Sequence, residues 1–158
     1  MSYCFRHISI VTSFISIPNA LATIIKIAQS AKDEEIIINA LRIIKGCLRS
    51  DRDYALVLHQ EAKLFDILIK FLVPEIYSEG IIEEAIGALR YYTRRTEGLE
   101  MIENPKALEP LCKSIIGNSS AKYNNSVIST LHNCCKRQEL LSYIKSTRAY
   151  EAVVIHNV

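Results

Sequence analysis

The sequence predicts an all-α fold in which helical repeats stack into an α-solenoid. The first observation is composition: five glycines and four prolines in 158 residues, 49% of them hydrophobic, favour helix over sheet. The second is that the tripeptide Ala-Leu-Arg at 40–42 recurs at 88–90 in the same helical phase. The third is a set of apolar segments that recur about every 43 residues. Such a period is typical of repeat proteins, whose units bury their faces against one another.

One large apolar anchor residue marks the second helix of each repeat. The anchors, separated by 43, 44 and 42 residues, are Leu21, Leu64, Leu108 and Tyr150. Another large apolar residue stands six positions before each anchor, namely Ile15, Leu58, Ile102 and Ile144. Breaks such as Pro18 and Asn104-Pro105 separate the two apolar positions. Each repeat is therefore expected to contain a short first helix, a break and a second helix.

A third, longer helical pattern occurs in three copies, which we expect roughly at 33–49, 79–96 and 121–137. Alignment on the leucines brings apolar or small residues into common columns. The columns are Ile37, Ala85 and Val127; Ala40, Ala88 and Thr130; Leu41, Leu89 and Leu131; and Ile44, Tyr92 and Cys134. Apolar residues at i, i+4 and i+7 predict a buried stripe on each helix. One column departs from this pattern, because Leu48 is aligned with Thr96 and Gln138.

The repeats organise residues 1–158 as one domain. Three complete repeats are expected at about 5–50, 51–97 and 98–137, and a partial fourth at 138–158 lacks its third helix. Extra residues near "RSDR" and "VPEIYSEG" fall in predicted loops. The alternative is an ordinary helical bundle whose amphipathic helices resemble one another by chance. The agreement of period and columns favours the repeats.

Three helices per unit of about 42 residues, with a small residue before the leucine of each third helix, resemble the armadillo family. The resemblance covers nearly the whole chain and implies a right-handed stack whose third helices line a concave groove. In nuclear-import and catenin members, a Trp and an Asn four residues later clamp an extended peptide there. These ladder positions match Arg42, Arg90 and His132, and Gly46, Arg94 and Lys136. Since no Trp or Asn stands at them, binding of nuclear-localisation signals in that manner is not expected.

Basic side chains occupy the predicted groove face instead. If the third helices stack in parallel, the residues on or close to one side are Arg42, Lys45, Arg49, Arg90, Arg94, His132 and Lys136. Guanidinium groups bind carboxylates and phosphates in bidentate fashion. We predict that this row binds a partner and that Arg90 and Arg94 matter most. The alternative is a set of solvated charges that keep the protein in solution.

The leading functional hypothesis is a non-enzymatic scaffold or adaptor that binds an acidic or phosphorylated segment of a partner protein along this groove. One alternative is binding of nucleic acid or anionic lipid by the same row, although a net charge of only +2 weighs against it. Another is an armadillo piece of a larger regulator, such as a GTPase-exchange or ubiquitin-ligase subunit. The apolar C-terminal residues further predict end-to-end self-association or a longer array, and they are Tyr150, Val153, Val154 and Val158.

The sequence predicts neither an enzyme nor a bound cofactor or metal. His132 and Cys135 lie three residues apart but lack the further ligands that a metal site needs. The pairs Glu34-Glu35 and Glu83-Glu84 are expected to open third helices, where the helix dipole favours acidic groups. No glycine-rich phosphate loop occurs.

Cysteine usage and the N-terminal segment bear on location. The five cysteines have no CxxC spacing, which favours reduced thiols in an intracellular protein; they are Cys4, Cys47, Cys112, Cys134 and Cys135. The uncharged stretch 8–25 makes a signal peptide the alternative. Polar residues and Pro18 interrupt this stretch, so that it fits neither a membrane span nor a signal peptide well. The sequence therefore favours the cytoplasm, with the nucleus second, over secretion.

Overall fold

The computed structural model of the chain describes residues 17, 19–50, 54, 57, 61, 63–116 and 121–155. These residues contain nine α-helices and one 3-10 helix, and no β-strand occurs among them. The α-helices are α1 (Ala20–Ser30), α2 (Glu34–Arg49), α3 (Leu64–Ile69), α4 (Glu79–Tyr92), α5 (Thr96–Glu100), α6 (Glu109–Ile116), α7 (Ala121–Cys134), α8 (Gln138–Lys145) and α9 (Ala149–Ile155). The 3-10 helix, Pro105–Leu108, directly precedes α6. The predicted all-α class is confirmed.

The helices α2, α4 and α7 are the predicted third helices. Asp33 caps α2, because its side-chain oxygen accepts hydrogen bonds from the backbone N–H groups of Glu35 and Ile36. The helices α4 and α7 each contain 14 residues and begin at residues 79 and 121, one 42-residue repeat apart. Every side chain of the four aligned columns is buried. The predicted buried stripe is therefore confirmed in all three helices.

The predicted C-terminal ends of two third helices are wrong. The helix α4 ends at Tyr92 rather than near residue 96, and α7 ends at Cys134 rather than near residue 137. The hydroxyl of Thr93 donates to a carbonyl one turn earlier, and the Arg94 N–H then bonds to the carbonyl of Tyr91, only three residues back. The backbone after α7 makes the same three-residue bonds. These tighter turns stop both helices without a glycine or proline.

These ends account for the column that departs from the pattern. Leu48 is buried in the last turn of α2, which has 16 residues and is longer than α4 or α7. Thr96 and Gln138, its aligned counterparts, are already the first residues of α5 and α8. The departing column thus marks the start of a new helix.

The third helices are parallel neighbours in chain order, since α2 packs against α4 and α4 packs against α7. Contacts between α2 and α4 advance in the same direction along both helices. The Ser78 hydroxyl before α4 donates to Glu34, the first residue of α2, and Arg42, two turns further, donates to Glu84. The C-terminal ends of α4 and α7 also lie together, because the side-chain amide of Asn133, in α7, donates to the hydroxyl of Thr93, the residue just after α4.

The second helices pack against the third helices that follow them: α1 on α2, α3 on α4 and α6 on α7. Their predicted anchors are fully buried, and these are Leu21, Leu64 and Leu108, the last of them at the end of the 3-10 helix. Side chains from all three repeats join one continuous hydrophobic core. The core positions of the second helices are therefore confirmed.

At the fourth anchor, the prediction that Tyr150 lies partly uncovered is confirmed, while its neighbour Ala149 takes the buried position. Ala149 is fully buried, whereas Tyr150 is half-buried. Val153, one turn after Ala149, is also buried and is not the uncovered residue that the sequence predicted. Val154 is 44% exposed, as expected. End-to-end self-association stays a prediction.

Tyr54 connects two parts of the core through a buried hydrogen bond. Its hydroxyl donates to the backbone carbonyl oxygen of Tyr92, and both side chains are buried. Gly98 lies against this bond, and a Cβ atom there would overlap the Tyr92 oxygen and the Tyr54 hydroxyl. A glycine is therefore needed for close approach at this position.

Some predictions fall outside the described residues. They concern Cys4, Ile15, Leu58, Val158 and most of the uncharged stretch 8–25. Within the ranges that the structure describes, no helix is both long and apolar enough to span a membrane.

Candidate partner-binding groove

A groove of about 400 Å³ lies between α2 and α4 and extends to Ser126 of α7. Four of the seven predicted binding residues line it, and they are Arg42, Lys45, Arg49 and Arg90. The lining also includes residues that the sequence did not single out as binding residues, namely Gly46, Glu83, Gly87, Tyr91 and Ser126. Parallel packing of α2 and α4 brings the basic residues together, because it places the groove-facing stripes of both helices side by side.

Glu84 holds two of these basic residues. The Nε atom of Arg42 donates to Oε1 of Glu84 at 2.9 Å, and Nζ of Lys45 donates to the other carboxylate oxygen, Oε2. The Glu84 side chain is only 12% exposed, whereas that of Arg42 is 58% exposed. A carboxylate from α4 thus bridges two cations of α2, and this bridge fixes one helix against the other.

The ionisation of Glu84 reflects this bridge. Burial acts to raise the pKa of the carboxyl group, but the hydrogen bonds and charges of Lys45 and Arg42 together outweigh burial. The pKa of Glu84 therefore lies below its ordinary value, and the carboxylate is ionised at neutral pH.

Gly87 makes room for the Lys45 side chain across α4. A Cβ atom at this position would lie 3.0 Å from Cδ of Lys45, which is tighter than ordinary van der Waals contact. The absence of a side chain on Gly87 lets Lys45 reach Glu84, one turn earlier on the same helix.

Two arginines stack on one aromatic ring at the C-terminal end of the groove. The guanidinium carbons of Arg90 and Arg94 lie 5.3 and 5.7 Å from the centre of the Tyr91 ring. Such cation–π contacts orient a guanidinium group while leaving its N–H edge available for hydrogen bonds. Arg94 lies beyond the end of α4 and does not line the groove, but Tyr91 keeps it at the end of the groove.

The basic residues of the groove outnumber the acidic ones. Within the described residues, Arg49 and Arg90 form no ion pair, and both are exposed. Four basic side chains against the carboxylates Glu83 and Glu84 leave a net positive charge. Arg49 and Arg90 also lie in the last turns of their helices, where the helix dipole stabilises cations.

The predicted row does not continue as a groove lining onto α7. His132 and Lys136 are exposed but are not among the residues that line this groove. Lys136 lies past the end of α7 and donates to Oδ1 of Asn133 at 3.4 Å. The seven predicted residues therefore separate into four that line the groove, Arg94 at its end, His132 on α7 and Lys136 just past the end of α7.

The role of Glu84 was missed from sequence because its position was misassigned. The helix α4 begins at Glu79, so Glu83 and Glu84 lie in its second turn and do not open the helix as predicted. A usable signal did exist, since Glu84 and Tyr91 are seven residues apart and so share one side of α4. Glu34 and Glu35 do open α2, as predicted.

None of the described cysteines lines the groove. Cys112, Cys134 and Cys135 are free thiols, and burial raises the pKa of all three. In the part of the chain that the structure describes, no group of three or more His, Cys, Asp or Glu side chains could hold a metal ion. Comparison of the chain with profiles of known families, with curated protein sequences and with solved structures gives no match.

Proposed function

We propose that the protein is a non-enzymatic scaffold or adaptor that binds an acidic or phosphorylated segment of a partner protein in the groove between α2 and α4. The observation that carries this proposal is the group of four basic side chains on one groove, two of them without an ion pair in the described residues. Arg49 and Arg90 are the primary contacts for the ligand, and Arg49 replaces Arg94 of the sequence-based prediction because Arg94 does not line the groove. We propose that the protein acts in the cytoplasm, with the nucleus as the alternative.

The Glu84 bridge supports the choice of ligand. It shows that a carboxylate fits between groove cations at hydrogen-bond distance. A carboxylate or phosphate of a partner meets the same donor chemistry at Arg90, whose guanidinium group is oriented by Tyr91.

We further propose that the helices form a right-handed armadillo-like solenoid of about three complete repeats and one partial repeat. The parallel packing of α2, α4 and α7 in chain order supports this proposal, as does the 42-residue period from α4 to α7. In armadillo proteins, which the sequence resembles, the third helices line the concave side. The groove then belongs to the inner surface of the solenoid, where a partner segment lies across successive repeats.

A short anionic segment fits better than a nucleic acid or an anionic membrane. Glu83, an exposed carboxylate in the lining, interrupts the positive surface and repels a continuous polyanion. The net charge of the chain, +2, offers little long-range attraction to a phosphate backbone.

Fluorescence anisotropy tests the proposal with a dye-labelled nonapeptide that carries one phosphoserine among acidic residues. We expect saturable binding that weakens about tenfold or more in the variant Arg49→Glu/Arg90→Glu, because each reversal turns an attraction into a repulsion. A peptide with glutamines in place of the acidic residues and without the phosphate is expected not to bind.

The matched control is Lys26→Glu/Lys106→Glu, which changes the net charge equally at exposed residues outside the groove. An equal loss of affinity in this control would mean that bulk charge, and not the groove, binds the peptide. Stronger groove-dependent binding of duplex DNA or phosphatidylserine vesicles, falling steeply with salt, would assign the groove to those ligands instead.

A further inference from the structure

The connection between α3 and α4 is much longer than its counterparts in the neighbouring repeats. Three residues separate α1 from α2, four separate α6 from α7, and nine separate α3 from α4. This is the predicted insertion at "VPEIYSEG". Insertions in one repeat map to loops on one face of a repeat protein, and that face is often the binding face.

The inserted loop is ordered by contacts at its base. The backbone N–H groups of Ile76 and Tyr77 both bond to the carbonyl of Val73 at 3.0 Å. The rings of Tyr77 and Phe71 pack with their centres 5.1 Å apart. Ile76 nevertheless stays 70% exposed. A loop held in this way presents an apolar side chain to solvent as a fixed feature.

A second groove, of about 500 Å³, lies between this loop and α6. Its floor consists of buried apolar side chains, namely Leu72, Ile82 and Ile86. Its walls and rim are Val73, Pro74, Glu75, Glu109, Pro110, Lys113 and Ser114. An apolar floor with a few polar groups at the rim is typical of a site that takes one or two side chains of a ligand.

This groove is separate from the basic groove. Ile82 and Ile86 directly precede Glu83 and Gly87, which line the basic groove. Successive residues of an α-helix are rotated by about 100°. The two grooves therefore lie on different sides of α4, and one ligand does not exclude the other.

The rim of the second groove is acidic. Lys113 pairs with Glu109 at 2.7 Å, so its charge is balanced within the rim. Glu75 is exposed and forms no ion pair within the described residues. The remaining charge is negative, which is opposite in sign to that of the basic groove.

We propose that this second groove is a docking site for a short partner segment in which an apolar side chain is flanked by Lys or Arg. The apolar side chain enters the groove above Ile82 and packs against Val73 and Pro74 at its wall, and the basic residue pairs with Glu75. The proposal is independent of the ligand assigned to the basic groove. Together the two grooves allow the chain to hold two segments of opposite charge.

A phage-displayed library of random nonapeptides, selected on the full chain, tests the proposal. We expect enriched sequences with an apolar residue next to Lys or Arg. Their affinity, measured by anisotropy, is expected to fall roughly tenfold in Val73→Ser, which removes apolar contact area from the groove wall, and roughly fivefold in Glu75→Lys. Val73 is half-buried and Glu75 is exposed, and an unchanged melting temperature is the check on folding.

Ile155→Ser is the control for loss of an apolar side chain, because Ile155 is 70% exposed and does not line the groove. The proposal is overturned if no sequence is enriched, or if Ile155→Ser weakens binding as much as Val73→Ser. It is also overturned if every enriched peptide is acidic and loses binding in Arg49→Glu/Arg90→Glu, since only the basic groove then binds peptides.

Discussion

Replacement of Glu84 by Gln should change stability and anion binding in opposite directions. In the native protein the Glu84 carboxylate accepts hydrogen bonds from Arg42 and Lys45 and joins α4 to α2. The amide of Gln keeps the shape and one acceptor oxygen but removes the charge. Stability should fall because the bridge is weakened, whereas the groove should become more positive and bind an anion more tightly.

The magnitude follows from the exposure of the three side chains. Arg42 is 58% exposed, so its pair with Glu84 is screened by water and contributes at most about 0.5 kcal/mol. Lys45 and Glu84 are 33% and 12% exposed, and a charge-assisted hydrogen bond in that setting contributes about 1 kcal/mol or slightly more. We expect a loss of about 1 to 2 kcal/mol in the free energy of unfolding and a roughly fivefold gain in affinity for the phosphoserine peptide.

Urea unfolding at pH 7, followed by far-ultraviolet circular dichroism, measures the first quantity, and peptide anisotropy measures the second. Glu103→Gln, the same change at an exposed loop residue, should stay within about 0.5 kcal/mol of the native protein. The pKa of Glu84 is depressed in the folded state, so the difference in stability between the native protein and Glu84→Gln should reach its maximum above the ordinary glutamate pKa. It should shrink as the pH falls through the lower folded value. Unchanged stability, or weaker peptide binding, would refute this account of the bridge.

Other predictions concern the buried hydrogen bond next to Gly98. Gly98→Ala should lower the free energy of unfolding, measured in urea, by about 2 to 4 kcal/mol, because the added Cβ overlaps the Tyr54 hydroxyl and the Tyr92 oxygen. Unchanged stability in this variant would contradict the close packing of Gly98 against that hydrogen bond. Tyr54→Phe should cost about 1 kcal/mol, whereas Tyr92→Phe should be neutral or stabilising, because the Tyr92 hydroxyl is buried without a partner among the described residues. Equal losses of stability in Tyr54→Phe and Tyr92→Phe, measured by thermal denaturation, would contradict this assignment of the hydrogen bond. Burial, assisted by a nearby carboxylate, raises the pKa of Tyr54 to about 12, so stability should fall between about pH 10 and 12, where the unfolded tyrosine ionises first. A free energy of unfolding that does not change between about pH 10 and 12 would refute the raised pKa of Tyr54.

The sequence predicted the core of the fold because helical periodicity directly reports which side chains are buried. Leu41, Leu89 and Leu131 and their aligned columns are buried as expected. Helix ends were harder to predict, since a threonine hydroxyl and three-residue hydrogen bonds end α4 without any glycine or proline.

The groove was predicted in part for the same reason. Arg42, Lys45, Arg49 and Arg90 line it because each lies on the predicted open side of a third helix. The Glu84 bridge could not be read from periodicity, since it depends on the distance between two helices. The position of the Arg94 side chain could not be predicted either, since Arg94 lies beyond the end of α4 and its guanidinium group contacts the Tyr91 ring. The missing information was therefore the set of side-chain contacts that form between helices and just beyond a helix end.

A solution NMR titration of the arginine Nε–Hε groups with the phosphoserine peptide tests the central claim most directly. We predict saturable shifts at Arg49 and Arg90, and smaller shifts at Arg42, whose Nε–H already donates to Glu84. Arg148, exposed and outside the groove, should not respond. Shifts that are absent at Arg49 and Arg90, or equal to those of Arg148, would contradict the assignment of this groove as the partner-binding site.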